Sequence, residues 1–359
     1  MKITNLVIWL TEACNLNCSY CYERHQPAAF NIEKVQDTVF RLFTDDQMAL
    51  KAPRHRISFF GGEPLLEYEH MVQFIGWLGT TIPKPFDYGI TTNGTLIDAE
   101  KAQYLASKHF GMLFSIDGDR EAMLARSDSY DASVAALQHV WAAGLHPEAN
   151  MTFTPEQMHR ATINIQHVVD LGFTGYNLNQ QSGAAYDFTE TLNALLTVYR
   201  YHMEHLHGEG IRTSSLSKAF KAIELRERQG GACGAGKGFV AISPIGEIYP
   251  CHKLIQVPAT RLAAHGGQID GVRRGWWEHF DPKQNETCDV CAVRPLCAGS
   301  CGADNALICG DFHRPVPSDC TFIRAWLTAA QTVYWECSEQ ERWEVWHSVD
   351  EAVSPECHD

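Results

Sequence analysis

Three cysteines near the start of the chain constrain its fold and chemistry more than any other feature. Cys14, Cys18 and Cys21 follow a C-x3-C-x2-C spacing, and the aromatic Tyr20 directly precedes the last of them. Three closely spaced thiolates hold three corners of an iron–sulfur cube and leave the fourth iron open. An open iron can bind a substrate or cofactor and pass it an electron. A structural zinc site completed by a distant fourth ligand is the alternative interpretation.

The grouping of the other cysteines indicates the redox compartment. The chain has 13 cysteines in 359 residues, and several stand in short runs such as C-x2-C and C-x3-C. Such runs are typical of metal ligands in a reducing cytosol, whereas secreted proteins use cysteines for disulfides. We therefore expect a cytoplasmic location. A hydrophobic content of 45% and this length predict a globular protein with two domains.

The net charge argues against a nucleic-acid partner, and the length of the apolar runs argues against a membrane partner. Asp and Glu total 43 against 29 Lys and Arg, which gives a net charge of −14. This charge disfavours a nucleic-acid partner, because binding a phosphate backbone needs a positive surface. No apolar run is long enough to span a bilayer, so no membrane partner is expected. Residues 3–10 predict a buried strand rather than a signal peptide, since no small-residue cleavage site follows them.

Apolar strand-like stretches alternate with amphipathic helical ones through the first half of the chain. The six predicted strands are 3–10, 56–60, 87–91, 112–116, 148–153 and 172–179. The helices predicted between them are 32–43, 68–79, 99–107, 132–143 and 156–170. This alternation predicts an α/β fold with a parallel sheet and right-handed crossovers. Six strands are too few for the eight-stranded closed barrel.

The spacing C-x3-C-x-aromatic-C resembles the signature of the radical S-adenosylmethionine (SAM) superfamily. That resemblance implies that the open iron binds the amino and carboxylate groups of SAM. It also implies that reduction of the cluster releases a 5′-deoxyadenosyl radical, which abstracts a hydrogen atom. The fold implied is a partial (β/α)6 TIM barrel, and in barrel folds the loops at the carboxyl ends of strands build the active site.

A second motif follows the second predicted strand, at Gly61, Gly62, Glu63 and Pro64. Glycine lets a backbone approach a ligand closely, and a carboxylate there can accept a hydrogen bond from an ammonium group. The run resembles the GGE motif of the superfamily, which implies that it holds the amino group of SAM. An ordinary turn at a strand end is the alternative.

Two further motifs end the third and fourth predicted strands. Thr92 and Asn93 begin a T-N-G run that resembles one facing the SAM pocket in the family, although Asn-Gly is also a common turn pair. Ser115 and Asp117 belong to a run that resembles the family's S-x-D-G. The resemblance implies that its serine side contacts the carboxylate or ribose of SAM. Tyr20 is included in the predicted SAM-binding set.

Two single residues complete that set. Arg126 is a candidate clamp for the SAM carboxylate, because a guanidinium matches carboxylate geometry. The alternative for this residue is a solvated surface arginine. Leu178, in the sixth predicted strand, is a candidate for packing on adenine, and Asn177 and Asn179 are alternatives that the sequence does not rank.

A second cysteine-dense segment begins after a glycine-rich break near residue 230. It contains Cys233, Cys251, Cys288, Cys291, Cys297, Cys301 and Cys320. Their intervals resemble the SPASM domain at the C-terminus of radical SAM peptide and protein maturases. The resemblance implies two auxiliary [4Fe–4S] clusters, and therefore three clusters in all. By position, the first auxiliary cluster is bound by Cys233, Cys251 and Cys301, and the second by Cys288, Cys291, Cys297 and Cys320.

The first auxiliary cluster then lacks a fourth thiolate. Cys309 is the nearest spare cysteine, and an open, water-bound or otherwise filled position is the alternative. Cys337 and Cys357 are interpreted as inert buried thiols. Paired zinc knuckles are the alternative for the whole segment. The predicted domains are a barrel over residues 1–186, a helical bridge over 187–230, and a SPASM domain over 231–359 that ends in one helix at 322–345.

The family resemblance implies an enzyme that modifies a ribosomally made precursor peptide, and we expect an intramolecular carbon–carbon or thioether crosslink. Sulfatase maturases have an acidic residue directly after the second SPASM cysteine. His252 at this position counts against formylglycine formation, and it is either a base or a structural histidine. Peptide epimerisation is a further alternative, with Cys309 as the candidate hydrogen donor. A non-catalytic iron–sulfur electron carrier is an alternative from another class.

The expected partners follow from the same resemblance. They are the precursor peptide, a small flavodoxin or ferredoxin that supplies electrons, and a separate leader-recognition protein. The early position of Cys14 leaves no room for a recognition domain before the barrel, which is why the last partner is expected.

Overall fold

The computed structural model describes residues 3–23, 29–45, 47–48, 52, 54–225, 234–278, 286–297 and 299–348. They belong to two compact units that interleave along the chain. The first unit comprises residues 1–115, 129–146 and 234–280, and the second comprises residues 116–128, 147–233 and 281–359. Cys233 and Cys357 lie outside the described residues. The division of the sequence at residues 186 and 230 stays a prediction.

Nine strands form the described sheet structure. They are β1 (Asn5–Thr11), β2 (His55–Gly61), β3 (Phe86–Thr92), β4 (Gly111–Ser115), β5 (Glu148–Phe153), β6 (Gly175–Gln180), β7 (Arg212–Thr213), β8 (Phe239–Ile242) and β9 (Ile248–Tyr249). The first six confirm the predicted strands with small shifts at their ends.

Twelve α-helices lie in the described residues. They are α1 (Ile32–Thr44), α2 (Tyr68–Thr81), α3 (Ala99–Ser107), α4 (Tyr130–Ala142), α5 (Ala161–Asp170), α6 (Phe188–Tyr201), α7 (Ser214–Glu224), α8 (Gly271–Glu278), α9 (Glu286–Asp289), α10 (Gly302–Cys309), α11 (Pro317–Glu336) and α12 (Glu339–His347). None of them combines the length and the apolar character needed to cross a bilayer.

In the first unit, the strand order is β9-β8-β1-β2-β3-β4. All neighbours are parallel except the pair β8 and β9. Leu6, Ile8 and Trp9 of β1 are fully buried, as expected for a strand covered on both faces. The helices between strands begin at side-chain caps, since Asn31 accepts a hydrogen bond at the start of α1 and Asp98 does so at α3.

The pairing of β8 with β1 was not predicted. Asn5 lies opposite Phe239 and Ile8 opposite Ile242, so a strand from the cysteine-rich C-terminal segment continues the sheet of the N-terminal half. Trp9, Ala241 and Tyr249 form a buried cluster at this junction. The segment predicted as a separate domain therefore contributes directly to the first unit.

In the second unit, β6 lies between β5 and β7, and both pairings are parallel. The long helix α11 packs on α6 and α7. The tail contains two helices where one was predicted. Cys337 is extended, and Ser338 starts α12 with a capping box that it shares with Glu341. This local cap ends the first helix and begins the second.

Candidate functional site

The three N-terminal cysteines lie on a loop that begins at the end of β1. Two backbone hydrogen bonds join this loop to the run that follows β2: Gly62 N donates to Thr11 O, and Glu63 N donates to Ala13 O, both at 2.8 Å. Both strands end at the same edge of a parallel sheet, so the two predicted motifs meet there.

The two glycines of the G-G-E run make this contact feasible. A Cβ atom on Gly61 would lie 2.4 Å from Thr11 O, and one on Gly62 would lie 2.3 Å from Ala13 O. Real Cβ atoms essentially never approach backbone oxygens so closely. The glycines therefore let the cysteine loop pack directly on the strand end, which is a different role from the close approach to a ligand that the sequence suggested.

Glu63 is fully buried at the centre of this arrangement. Its carboxylate accepts hydrogen bonds from Leu65 N at 3.0 Å, Thr92 Oγ1 at 2.7 Å and Asn93 N at 2.8 Å. Burial raises the pKa of Glu63 to about 7, and these three bonds only partly offset the rise. All three donors are neutral, so the carboxylate can still be stabilised by a cation.

The T-N-G turn after β3 is tied to the cysteine loop by side chains. Asn93 Nδ2 donates to Asn15 Oδ1 at 2.9 Å, and Asn15 Nδ2 donates to Thr95 Oγ1 at 2.8 Å. Gly94 has a φ of 78°, and a Cβ there would overlap the ring of Phe114. Thr92 and Asn93 thus lie beside the cysteines as predicted, and Asn15 is a partner that sequence reasoning missed although it adjoins Cys14.

The three thiols lie close enough to influence one another electrostatically. Burial raises the pKa of Cys21 to about 11, and repulsion from Cys18 and Cys14 adds to the rise. Burial is also the main cause of the raised pKa of Cys14, with smaller contributions from Cys18 and Glu63. Leu16 N donates to Cys14 Sγ at 3.4 Å, and N–H···S bonds of this kind tune the potential of an iron–sulfur cluster.

The spacing of these three thiols suits the separate irons of a cluster. Within the described ranges, no three His, Cys, Asp or Glu side chains converge closely enough to hold one metal ion. The thiolates of a cluster bind different irons, so they need not converge on one point. Three soft ligands beside the buried Glu63 carboxylate fit the [4Fe–4S] cluster and SAM that the sequence suggested.

Three further residues of the predicted SAM-binding set are described by their location and burial: Tyr20, Pro64 and Ser115. Tyr20 is half-buried on the cysteine loop. Pro64 is buried and starts a short 3-10 helix over Pro64–Glu67. Ser115 is buried at the end of β4, at the same sheet edge as Gly61 and Thr92.

Asp117 and Arg126 form a buried ion pair within the second unit. Arg126 Nε donates to Asp117 Oδ2 at 2.8 Å, and Nη2 donates to Oδ1 at 3.0 Å. Thr152 N donates to Asp117 Oδ1 at 2.7 Å. Arg126 is therefore not a solvated surface residue. A ligand carboxylate would have to share its guanidinium with Asp117, and the proposed clamp role stays a prediction.

Leu178 lies on β6, also in the second unit, and contributes to a pocket with Leu195 and Phe322. The alternatives Asn177 and Asn179 donate to Glu148 Oε2 at 3.3 Å and to Asn150 Oδ1 at 2.8 Å, side chains of the neighbouring strand β5. The role of Leu178 toward adenine stays a prediction.

Four cysteines of the C-terminal segment lie near one another in the second unit. Burial raises the pKa of Cys320 to about 12, and repulsion from Cys297, Cys288 and Cys291 contributes. Cys291 N donates to Cys288 O at 3.1 Å, which closes the turn between them, and Gly299 N donates to Cys297 Sγ at 3.2 Å. Cys288, Cys291 and Cys297 thus lie within electrostatic range of Cys320, and the role of all four as cluster ligands stays a prediction.

The residues predicted for the first auxiliary cluster fall in different parts of the structure. Cys251 is buried just after β9 in the first unit. Cys301 is exposed at the start of α10 in the second unit, and Cys233 lies outside the described residues. Cys309 ends α10, and Cys337 is buried after α11. The ligand set for this cluster stays a prediction.

His252 is held against aromatic rings in the first unit. Its ring centroid lies 4.6 Å from that of Phe60 and 5.9 Å from that of Trp9, with interplanar angles of 33° and 25°. Its Nδ1 atom lies 3.9 Å from Cys251 Sγ. The ring therefore packs on two aromatic side chains beside Cys251, which is compatible with either a base or a structural histidine.

Two carboxylates beside the cysteines were not predicted. Burial raises the pKa of Glu23 to about 8 and raises that of Glu12, whose carboxylate accepts from Gln256 Nε2 at 3.1 Å. Their positions next to the cysteine motif are the only sequence signal for them. Lys253 lies over the Tyr22 ring at 4.7 Å in the same unit.

Comparison with known proteins supports the same chemistry. The pattern of the radical SAM superfamily matches residues 9–195, slightly more than half of the chain. The chain is 24% identical over 356 residues to the AdoMet-dependent heme synthase of Methanosarcina barkeri, covering 87% of this chain and 95% of that protein. It is 23% identical over 319 residues to the mycofactocin maturase MftC of Mycolicibacterium smegmatis, covering 82% and 76%.

The fold is also that of a solved structure. Native anSMEcpe with bound AdoMet and Cp18Cys peptide aligns with a TM-score of 0.76 at 17% identity, over 92% of this chain and 98% of that one. This likeness confirms the predicted fold class, an α/β partial barrel followed by a C-terminal cysteine-rich segment.

Proposed function

Because this chain belongs to the radical SAM superfamily, we propose that it is a peptide maturase that abstracts a hydrogen atom from a side-chain carbon of a ribosomally made precursor. The observation that carries the proposal is the hydrogen-bonded assembly of the cysteine loop, the buried Glu63 carboxylate and the Asn93 turn. This assembly combines cluster ligands with a carboxylate able to accept a cation.

Each part of the assembly has a definable role. Cys14, Cys18 and Cys21 would hold a [4Fe–4S] cluster, and Glu63 would accept a hydrogen bond from the ammonium group of SAM. When bound, the two cofactors supply a 5′-deoxyadenosyl radical that abstracts the hydrogen atom. Burial strengthens the attraction between Glu63 and a cation. The hydrogen bonds from Thr92 and Asn93 N favour the ionised carboxylate that this attraction requires.

The peptide substrate is inferred from relatives and from the cysteine-rich segment. MftC is a maturase, and anSMEcpe has been solved with a bound peptide. The second candidate is a step of heme synthesis, which is favoured by the alignment over 95% of the heme synthase. Peptide maturation and heme synthesis are distinguished by testing whether the enzyme consumes a peptide or a heme precursor.

We further propose that the enzyme forms an intramolecular crosslink and uses two auxiliary clusters. The proximity of Cys288, Cys291, Cys297 and Cys320 supports one of them. Reconstituted enzyme is then expected to contain about twelve irons per chain, and Cys320→Ser should retain about eight. An unchanged iron content in Cys320→Ser would contradict the assignment of this cysteine.

SAM cleavage tests the central proposal. Anaerobically reconstituted enzyme given SAM and dithionite should release 5′-deoxyadenosine, and Cys18→Ala should lower the rate to below roughly a hundredth. Cys337→Ala is the matched control, because this buried thiol is not a predicted ligand. Equal rates in both variants would refute the role of Cys18. A wild-type enzyme that releases none would indicate a non-catalytic electron carrier.

Peptide modification tests the finer proposal. Co-expression with a short peptide encoded beside the enzyme should lower the peptide mass by two hydrogens. Deuterium uptake at an α-carbon in heavy water, abolished in Cys309→Ala, would indicate epimerisation instead. Conversion of a cysteine or serine to formylglycine would indicate sulfatase-type maturation. A small flavodoxin or ferredoxin and a separate leader-recognition protein are the proposed partners, and pull-down of the co-expressed complex would identify them.

A further inference from the structure

A pocket of about 260 Å³ lies within the second unit, beside the end of β6. Its walls are residues 177–180 of β6, side chains of α6 and α11, and the first turn of α7. None of the roles assigned above uses this pocket, apart from the prediction that Leu178 packs on adenine.

Two buried polar atoms of residues that line the pocket have no hydrogen-bond partner among the described residues. They are Tyr199 Oη and Trp326 Nε1, and Tyr199 is fully buried. Tyr199 interacts with the side chains of Ser215 and Trp326, but neither group meets hydrogen-bond geometry with its hydroxyl. Indole nitrogen can only donate. Since burying such groups without a partner is unfavourable, they indicate a ligand that accepts hydrogen bonds.

The start of α7 adds donors and positive charge to the same wall. This helix has 11 residues, and the side chain of its N-cap residue Thr213 bonds to Ser215 Oγ at 3.0 Å instead of capping a backbone N–H of the first turn. The free N–H groups and the helix dipole at such an end favour an anion. Lys218 also lines the pocket, and the described residues lining it include no carboxylate.

One edge of β6 faces this pocket. In the described residues, β7 pairs only with Gly175 and Tyr176, while residues 177–180 pair on their other side with β5. The backbone of an unpaired strand edge can bind an extended peptide. The pocket therefore combines an edge suited to peptide backbone with a cluster of donors suited to a negative group.

We propose that this pocket binds an extended peptide segment and places one of its carboxylates at the N-terminus of α7, between Lys218, Tyr199 and Trp326. The proposal deepens the proposed function and rests on a peptide being the substrate. The carboxylate is either an acidic side chain or the C-terminus of the segment, because both present the same acceptor oxygens.

Direct binding to the full-length reconstituted enzyme, without SAM or reductant, tests this proposal. The probes for calorimetry are acetyl-Ala-Ala-Ala-Glu-amide, acetyl-Ala-Ala-Ala-Ala with a free C-terminus, and acetyl-Ala-Ala-Ala-Gln-amide. At least one acidic probe should bind roughly tenfold tighter than the glutamine probe. If the glutamate probe binds more tightly, the pocket recognises a side-chain carboxylate. If the probe with a free C-terminus binds more tightly, it recognises a terminal carboxylate.

Variants locate the bound group. Tyr199→Phe and Lys218→Gln should each lower the affinity for the acidic probe by roughly fivefold to tenfold. Tyr176→Phe and Lys221→Gln are matched controls, because they remove a hydroxyl or a charge from residues outside the pocket lining, and they should leave the affinity within about twofold.

Three results would overturn the proposal. They are equal binding of all three probes, unchanged affinity in both pocket variants, and binding of acetate alone as tightly as either acidic peptide. The readout requires no radical chemistry. If the enzyme cleaves SAM and modifies a peptide but does not bind the probes as expected, only the pocket proposal is refuted. If it binds the probes but modifies no peptide, the proposed function is refuted.

Discussion

Glu63 and Asp117 are both buried carboxylates, yet the protein satisfies them differently. Asp117 accepts two hydrogen bonds from the Arg126 guanidinium and one from Thr152 N. Glu63 accepts three bonds from neutral donors, and burial raises its pKa to about 7. The carboxylate of Asp117 is paired with a cation, whereas among the described residues Glu63 is bonded to neutral donors.

From this difference we expect a structural role for Asp117 and a binding role for Glu63. The Asp117–Arg126 pair is tied to β5 by the hydrogen bond from Thr152 N to Asp117, and it should act mainly on stability. Glu63 lies beside three thiols and costs stability in the ligand-free chain, because its charged form is poorly solvated. Buried groups that destabilise a protein on their own are common at functional sites.

The largest expected effect is the loss of the Asp117 charge. Asp117→Asn leaves Arg126 buried without its anion, so the free energy of unfolding should fall by about 3–5 kcal/mol. Urea unfolding of the SAM-free enzyme measures this change. The double variant with Arg126→Gln should recover part of the loss. If the free energy of unfolding of Asp117→Asn decreases by less than about 1 kcal/mol, the pair contributes no more than a weak surface ion pair.

The pH dependence of stability should reveal the opposite behaviour at Glu63. Its pKa is raised from 4.5 to about 7, so the folded chain holds this proton more tightly than the unfolded chain. Stability should therefore fall by roughly 3 kcal/mol as the pH rises from about 4.5 to about 7, and then level off. The unfolding free energy is measured against pH for the metal-free wild type and for metal-free Glu63→Gln. The difference between the two curves isolates the pH dependence that is due to Glu63. A flat difference would mean that Glu63 is satisfied without a ligand.

The same substitution should weaken SAM binding. Glu63→Gln replaces a charged acceptor by a neutral one, and the expected loss of affinity is roughly tenfold to a hundredfold. Equilibrium dialysis of labelled SAM with the reconstituted enzyme measures it. Asp117→Asn, tested at a temperature where it stays folded, is the comparison. A larger loss of affinity in that variant would reverse the roles assigned to the two carboxylates.

The smallest expected effect concerns the packing of the cysteine loop on the G-G-E run. Gly62→Ala should cost about 1–3 kcal/mol, because the new methyl group would lie against Ala13 O. Gly76→Ala in α2 is the control, since a Cβ there meets nothing within 4 Å, and it should be neutral or stabilising by about 0.5–1 kcal/mol. Thermal unfolding compares the two variants. Equal stabilities would show that the loop can move away without cost.

Local patterns carried most of the fold prediction. The six strands and five intervening helices were readable because burial imposes a period on short stretches of sequence. The boundary between α11 and α12 was missed, although the capping box of Ser338 and Glu341 is a local signal that marks it. The Cys, G-G-E and T-N-G motifs were found because each stands at the end of its own strand.

Contacts between distant segments could not be read in this way. The pairing of β8 with β1, the role of Gly62 against Ala13 and the hydrogen bond from Thr152 N to Asp117 all depend on which surfaces the chain brings together. Asn15 was missed for the same reason, because its side-chain partners in the described part of the chain, Asn93 and Thr95, lie on the distant turn after β3.

The sequence by itself determined the strand–helix alternation and the groups able to hold a cluster, because periodicity and ligand spacing are local properties of the chain. Only the tertiary structure decided how those groups are satisfied. It paired Asp117 with Arg126, bonded Glu63 to three neutral donors of the described part of the chain, and placed Tyr199, Trp326 and the start of α7 around one pocket. The physical reason is that the charge, burial and hydrogen bonding of a side chain depend on neighbours from remote parts of the sequence.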